Sequence, residues 1–307
     1  MSIILNSLFP VFALMVLGAA LRRFNMVSGG FLRTSDTLIY FIFFPIMLFW
    51  KIGAPTMGRA IDWRLCLAVI SAIATVYAFS LAYLKTVRMP RRAVGSFSQA
   101  SYRFNSYVGV AIVLNTLGDT GVRDLGVMIG FAIPFINLLA VSTLIWHSDE
   151  PRAMANRTGY FVKSVFSNPL ILACLAGIGY ARLNLPFPTF VDNTFRMFSL
   201  LALPLALISI GGSLDFSKIG RHLNYTAAAT VIKLVVLPVV GYGFLKAFGV
   251  TDLSFKVGMI YFALPTSAAI YVLSSQLGSD VDLGAAAVLF STLFSFLSLS
   301  AVIILFV

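Results

Sequence analysis

An all-α polytopic membrane protein, with ten transmembrane helices in two inverted five-helix repeats, is the fold class this sequence predicts. Three observations lead there. Of the 307 residues, 59% are hydrophobic and only 11% charged, whereas soluble chains carry roughly 25% charged residues to cover their surface. The apolar residues fall in runs near the ~20 residues that cross a bilayer core, which agrees with a mean hydropathy of +0.95. Landmarks in the first half recur in the second at a nearly constant offset.

In lipid the backbone must satisfy its own polar groups, so apolar runs of this length are expected to be helices. Charged breaks place the spans at 3–22, 34–52, 63–85, 91–117, 122–146, 160–182, 189–213, 222–248, 254–277 and 282–306. No basic residue precedes the first span, which is therefore read as a retained helix and not a secretory signal. Residues 1–146 make the first repeat, 147–159 a polar connecting loop and 160–307 the second repeat.

The formal net charge of +11 does not imply a nucleic-acid partner, because Lys and Arg sit in short clusters between spans instead of on one solvated stripe. Arg22, Arg23, Arg33, Lys85, Arg88, Arg91, Arg92, Arg152, Arg157, Lys163, Lys218 and Arg221 follow the odd-numbered spans. The other side holds the smaller set Lys51, Arg59, Arg64, Arg123, Arg182, Arg196, Lys246 and Lys256. The positive-inside rule then places the odd loops in the cytoplasm and both termini outside.

The repeat is read from specific pairs. Pro10, Gly18, Arg23 and Asn25 recur as Pro169, Gly177, Arg182 and Asn184, and Pro45 as Pro204, all at an offset of 159. Leu117-Gly118 recurs as Leu277-Gly278 at 160, and each pair is followed by Asp-Leu-Gly. Five spans per half is an odd number, so the second half enters the membrane from the opposite side. Secondary transporters use such inverted halves to expose one central site alternately to each side; a duplicated receptor without transport is the blander alternative.

Irregular points suggest where a solute binds. Span four is unusually polar from Ser96 to Gly109, and span nine carries Pro265, which removes a donor and disturbs the preceding turn. At the offset of 160, Asn105 falls on Pro265. The candidate substrate-binding residues are Ser101, Arg103, Asn105, Ser106 and Gly109 with Pro265, Thr266, Ser267 and Tyr271. Ser101, Asn105 and Gly109 share one helix face, where helix packing is the competing reading; Thr266, Ser267 and Tyr271 serve binding or packing equally well. Arg103 and Lys233 lie deep within spans, where a cation faces protein or water. They attract an anion, or Lys233 pairs with a backbone carbonyl or snorkels. The eleven acids fall in loops or near span ends, leaving no mid-membrane carboxylate for an ion relay.

Other chemistry finds little support. No HExxH pattern occurs, and the intramembrane serines lack a histidine partner. His147 and His222 sit at span ends, while Cys66 and Cys174 read as small buried hydrophobes. The chain is not expected to be an enzyme or to hold a cofactor or metal.

Two segments, Arg103-Phe-Asn-Ser-Tyr-Val-Gly-Val-Ala111 and Ala263-Leu-Pro-Thr-Ser-Ala-Ala-Ile-Tyr-Val-Leu-Ser-Ser-Gln-Leu-Gly-Ser-Asp280, resemble the auxin efflux carrier family of membrane transporters. The resemblance extends over nearly the whole chain. It implies that broken helices four and nine cross, that both termini lie outside, and that the cargo is a small organic anion, auxin-like or malate- or malonate-like. It also implies that Asn105 and the half-helix ends near Pro265 contact the substrate carboxylate. Plant members carry a proline shortly after the span-four asparagine, where this chain has Val110, Ala111 and Ile112, and they have a long central loop that is missing here. The compact form points to a bacterial inner-membrane protein. The expected partners are the anion and the lipid bilayer, with a homodimer as a further option. A sodium-coupled organic anion symporter of the bile-acid type and a non-transporting receptor are the alternatives.

Overall fold

The computed structural model describes residues 2–54, 61–147, 159, 167–214 and 223–307, without the side chains of residues 2–4, 271 and 272. Residues 148–158 of the expected connecting loop, the start of the sixth span and His222 lie outside the described residues.

The described chain is helical, without a strand. Its elements are α1 (Ser2–Arg23), α2 (Gly29–Gly53), α3 (Trp63–Thr86), α4 (Arg91–Tyr102), α5 (Ser106–His147) and α6 (Pro169–Ala181). They continue with α7 (Thr189–Ser213), α8 (Leu223–Ala247), α9 (Asp252–Ala263), α10 (Ala269–Gln276) and α11 (Val281–Phe306). Among the described residues, seven stretches are long and apolar enough to cross a bilayer. One of them, Arg91–His147, runs for 57 residues and contains the expected spans four and five. Exposed side chains such as Phe9, Val16, Met197, Leu200, Ile304 and Leu305 give these helices apolar outer faces. Water would penalise such faces and lipid does not.

Local chemistry explains where the helices start, widen and stop. Ser28 caps α2 by accepting from the Phe31 amide at 3.1 Å, and Asn168 caps α6 ahead of Pro169. Helix α2 thus starts at Gly29, earlier than the expected 34, which leaves Asp36 two turns inside it. There Asp36 accepts a hydrogen bond from Ser209, so one carboxylate stands further inside its helix than the sequence reading placed it. In α2 and α8 the chain widens to π-helical segments at Ile39–Phe43 and Ile232–Val236. A proline follows each at Pro45 and Pro238. A proline ring crowds the carbonyl four residues back, and the wider turn relieves it. Asn25 (φ 55°) and Asn184 (φ 52°) end α1 and α6 in the left-handed region, which Asn tolerates better than most residues. They are 159 residues apart. Gly118 (φ 67°) and Gly278 (φ 68°), 160 apart, repeat the pattern.

The chain forms two compact units, each drawing on both halves of the sequence. The first comprises Met1–Trp63, Tyr107–Phe131 and Phe166–Leu214. Its glycines permit close helix approach, as membrane helices require. A Cβ on Gly18 would stand 2.0 Å from the Ile208 carbonyl oxygen, and one on Gly177 would stand 3.1 Å from that of Phe49. Likewise a Cβ on Gly212 would meet the Gly18 oxygen at 3.2 Å, and one on Gly53 the Gly177 oxygen at 3.7 Å. Members of each pair of contacts differ by 159 residues. Helix α1 therefore meets α7 as α6 meets α2, a pseudo-two-fold relationship within this unit. Trp50 Nε1 donates to Asp192 at 2.7 Å, and Lys51 pairs with Asp119 at 2.7 Å.

The second unit comprises Arg64–Ser106, Ala132–Val165 and Asp215–Val307. Helix α4, too polar for a lipid face, is buried from Ala93 to Tyr102 and packs on α8, α10 and α11. Its serines find partners there. Ser96 Oγ bonds Ser274 Oγ at 2.9 Å and donates to the Asp280 carbonyl at 2.6 Å, while Ser279 Oγ donates to the Arg92 carbonyl at 2.6 Å. Hydrogen bonding of this kind offsets the cost of burying hydroxyls.

Candidate functional site

Two helix breaks meet in the second unit. Helix α4 stops at Tyr102, and Arg103 turns extended (φ −65°, ψ 157°) before α5 resumes at Ser106. Helix α9 stops at Ala263, and Leu264 takes nearly the same conformation (φ −65°, ψ 147°) before α10 begins at Ala269. The backbone amide of Asn105 donates to the carbonyl oxygen of Pro265 at 2.9 Å. The rings of Phe104 and Tyr261 close the neighbourhood edge to face, with centroids 4.4 Å apart.

The two breaks have different local causes. Pro265 has no N–H, so the α9 ladder must end there. No proline stands near Asn105, yet α4 breaks all the same. Tertiary partners hold it open. Besides the Asn105 amide, buried Arg103 donates from Nη2 to Asn137 Oδ1. Across the crossing, the Thr266 amide donates to Ser291 Oγ at 3.1 Å. Buried Lys233 donates to the carbonyl oxygen of Phe262 at 3.3 Å, which is the backbone-carbonyl pairing weighed above. Helices α4 and α9 coincide at an offset of 161, so the positional counterpart of Pro265 is Phe104, one residue before Asn105.

Of the residues singled out from sequence, the structure gathers Arg103, Asn105, Pro265 and Thr266, all buried, at this crossing. Ser106 opens α5 beside them. Thr266 Oγ1 is buried and makes no hydrogen bond among the described residues. Ser267 Oγ accepts from the Ala269 amide at 3.2 Å, the turn that opens α10. Ser101 Oγ donates within its own helix, to the Phe97 carbonyl at 3.0 Å. Gly109 belongs to the first unit, and Tyr271 lies in α10 with its side chain outside the description. Asn137 and Ser291 were missed; a polar residue deep in a predicted span was the available signal for both.

Charge is distributed unevenly in the second unit. Within the second unit the described acids are Asp252, Asp280 and Asp282, and all stand at helix N-termini, where a carboxylate complements the helix dipole. The interior carries Arg103 and Lys233 instead.

Residues 143–303, a little more than half of the chain, match the sequence model of a family described as membrane transport protein. The chain belongs to this family, the auxin efflux carriers. An uncharacterized transporter of Methanothermobacter thermautotrophicus is 23% identical over 299 residues, covering 96% of this chain and 95% of its own length. The family match includes α9, α10 and the Pro265 break. The span-four segment around Asn105 lies outside it and inside the stretch shared with the Methanothermobacter relative. As an auxin efflux carrier family member the chain is an integral membrane protein of a transport family.

Proposed function

We propose that the protein is a secondary transporter that moves a small organic anion, an auxin-like or malate- or malonate-like carboxylate, across the membrane by alternating access. The observation that carries this reading is the hydrogen bond between the Asn105 amide and the Pro265 carbonyl. It ties together two helix interruptions inside a membrane protein, the arrangement in which half-helix ends coordinate solutes. Helix N-termini at such breaks attract negative charge, worth about 0.3–1 kcal/mol when exposed and up to ~2 when partly buried. Asn105 would bind the carboxylate oxygens, Thr266 Oγ1 would donate to them, and Arg103 would add attraction.

The repeated backbone landmarks and the paired glycine contacts support two inverted five-helix halves, residues 1–146 and 160–307 joined through 147–159. Alternating access follows from such halves. The charge bias between loops supports an inner-membrane protein with both termini outside. This reading requires no catalysis.

A counterflow screen in proteoliposomes tests it, using labelled malate, malonate and indole-3-acetate with neutral amino acids for comparison. Exchange of at least one carboxylate supports the reading. Ligand binding without any flux would favour a receptor.

A further inference from the structure

Lys233 is fully buried in the π-helical segment Ile232–Val236 of α8. Its ammonium donates one hydrogen bond, to Phe262 O at 3.3 Å. In an unbroken helix that oxygen would accept from the Thr266 amide. Here that amide goes to Ser291, so the break itself releases the acceptor that Lys233 takes. Phe262 lies three residues before Pro265, whose carbonyl holds Asn105.

Among the described residues Lys233 has no counter-ion. The ion pair of Lys51 with Asp119 belongs to the other unit. Helices α4, α9 and α11 pack against the Lys233 segment, along with the rest of α8. Their titratable and charged groups nearest the break are Tyr261 on α9, and Tyr102 with the following Arg103 on α4. Asp252 and Lys256 occupy the first half of α9, Arg91 and Arg92 the start of α4, and Asp282 the start of α11. Tyr225, Tyr242 and Lys246 lie toward the ends of α8. Asp252 is ten residues before Phe262 and Asp282 nine before Ser291, some ~13–15 Å along their helices. Among the described residues no negative charge is beside the amine.

A buried ammonium with one neutral acceptor is costly, and a nearby anion offsets that cost. An anion at the crossing would be that partner. We propose that anion binding at the crossing and protonation of Lys233 are linked, so that the protein carries its anion together with a proton. This rests on the anion reading above. On loading, the Lys233 amine takes a proton from the water on that side; on release across the membrane it returns the proton there. Linkage is reciprocal, so the proton raises anion affinity by the factor by which the anion raises proton affinity. Raising pH therefore weakens binding, by up to about tenfold per pH unit for one linked proton. Arg103 does not share this role, because a guanidinium keeps its proton.

The test uses the full chain in proteoliposomes with labelled malate, malonate and indole-3-acetate. At equal pH on both sides, counterflow establishes that an acid is carried; its absence contradicts the anion reading itself and takes the linkage with it. With an acid pH outside, the wild type accumulates that acid, up to tenfold per unit of gradient. Lys233→Met shows slower counterflow and no accumulation driven by the gradient. The proposal is overturned if the wild type exchanges the acid but ignores the pH gradient, if a sodium gradient drives accumulation instead, or if Lys233→Met accumulates like the wild type. Should the variant fail to fold, proton uptake by the wild type decides: mixing the carried acid with weakly buffered protein and a pH indicator gives up to one proton per anion bound, and no uptake overturns the linkage.

Discussion

The amide of Asn105 and the carbonyl of Pro265, 2.9 Å apart, join two helix ends that lie 160 residues apart in the chain. The bond is made by backbone atoms, so replacing the Asn105 side chain leaves it in place. Structure and recognition at this position are therefore separable by mutation.

Asn137 is expected to hold Arg103 in place. Asn137→Leu removes the Oδ1 that accepts from the buried guanidinium, and should cost about 1–3 kcal/mol. Thermal unfolding in detergent measures this. A double-mutant cycle with Arg103→Met should show that the two losses are not additive.

Thr266→Val separates binding from packing. The Thr266 hydroxyl is buried without a partner among the described residues, so its removal should leave stability within about 1 kcal/mol or raise it. Anion affinity, measured by the concentration dependence of counterflow, should fall several-fold. Unchanged affinity would assign the residue to packing.

Close helix approach in the first unit gives a graded series. Gly18→Leu forces a side chain into the Ile208 carbonyl and should destabilise by about 3 kcal/mol, and Gly177→Leu should act in the same direction at the equivalent contact. Gly179 has open space around its missing Cβ. Gly179→Ala should therefore be neutral or stabilising by up to about 1 kcal/mol. Melting temperatures of the three variants check the order.

Lys51 and Lys233 should behave differently although both are lysines in spans. Lys51 pairs with an Asp119 side chain that is 66% exposed, so Lys51→Gln should change stability by no more than ~1 kcal/mol and leave transport intact. A large loss would mean that this pair is part of the transport cycle.

Much of this was legible in the sequence because it is periodic or local. Apolar runs marked the helices, and a fixed offset marked Asn25 with Asn184 and Gly118 with Gly278 before their shared backbone conformations were seen. Pro265 announced its own break. The break at Arg103–Asn105 was harder to read, since no local residue forces it and its partners, Asn137 and Pro265, come from elsewhere in the chain. The one-residue slip between offsets 160 and 161 is of the same kind: it depends on where each helix ends, which packing decides. The start of α2 was misplaced because apolar runs locate a span while capping, here by Ser28, locates its end. The pairing of Gly18 with Ile208 required three dimensions.

Counterflow by Asn105→Ala is the most direct test of the site. The account predicts a variant that is made, inserted and melts within a few degrees of the parent, because the backbone bond to Pro265 survives, yet exchanges the carried acid at least tenfold more slowly. Parental exchange by a folded Asn105→Ala protein would contradict a binding site at this crossing.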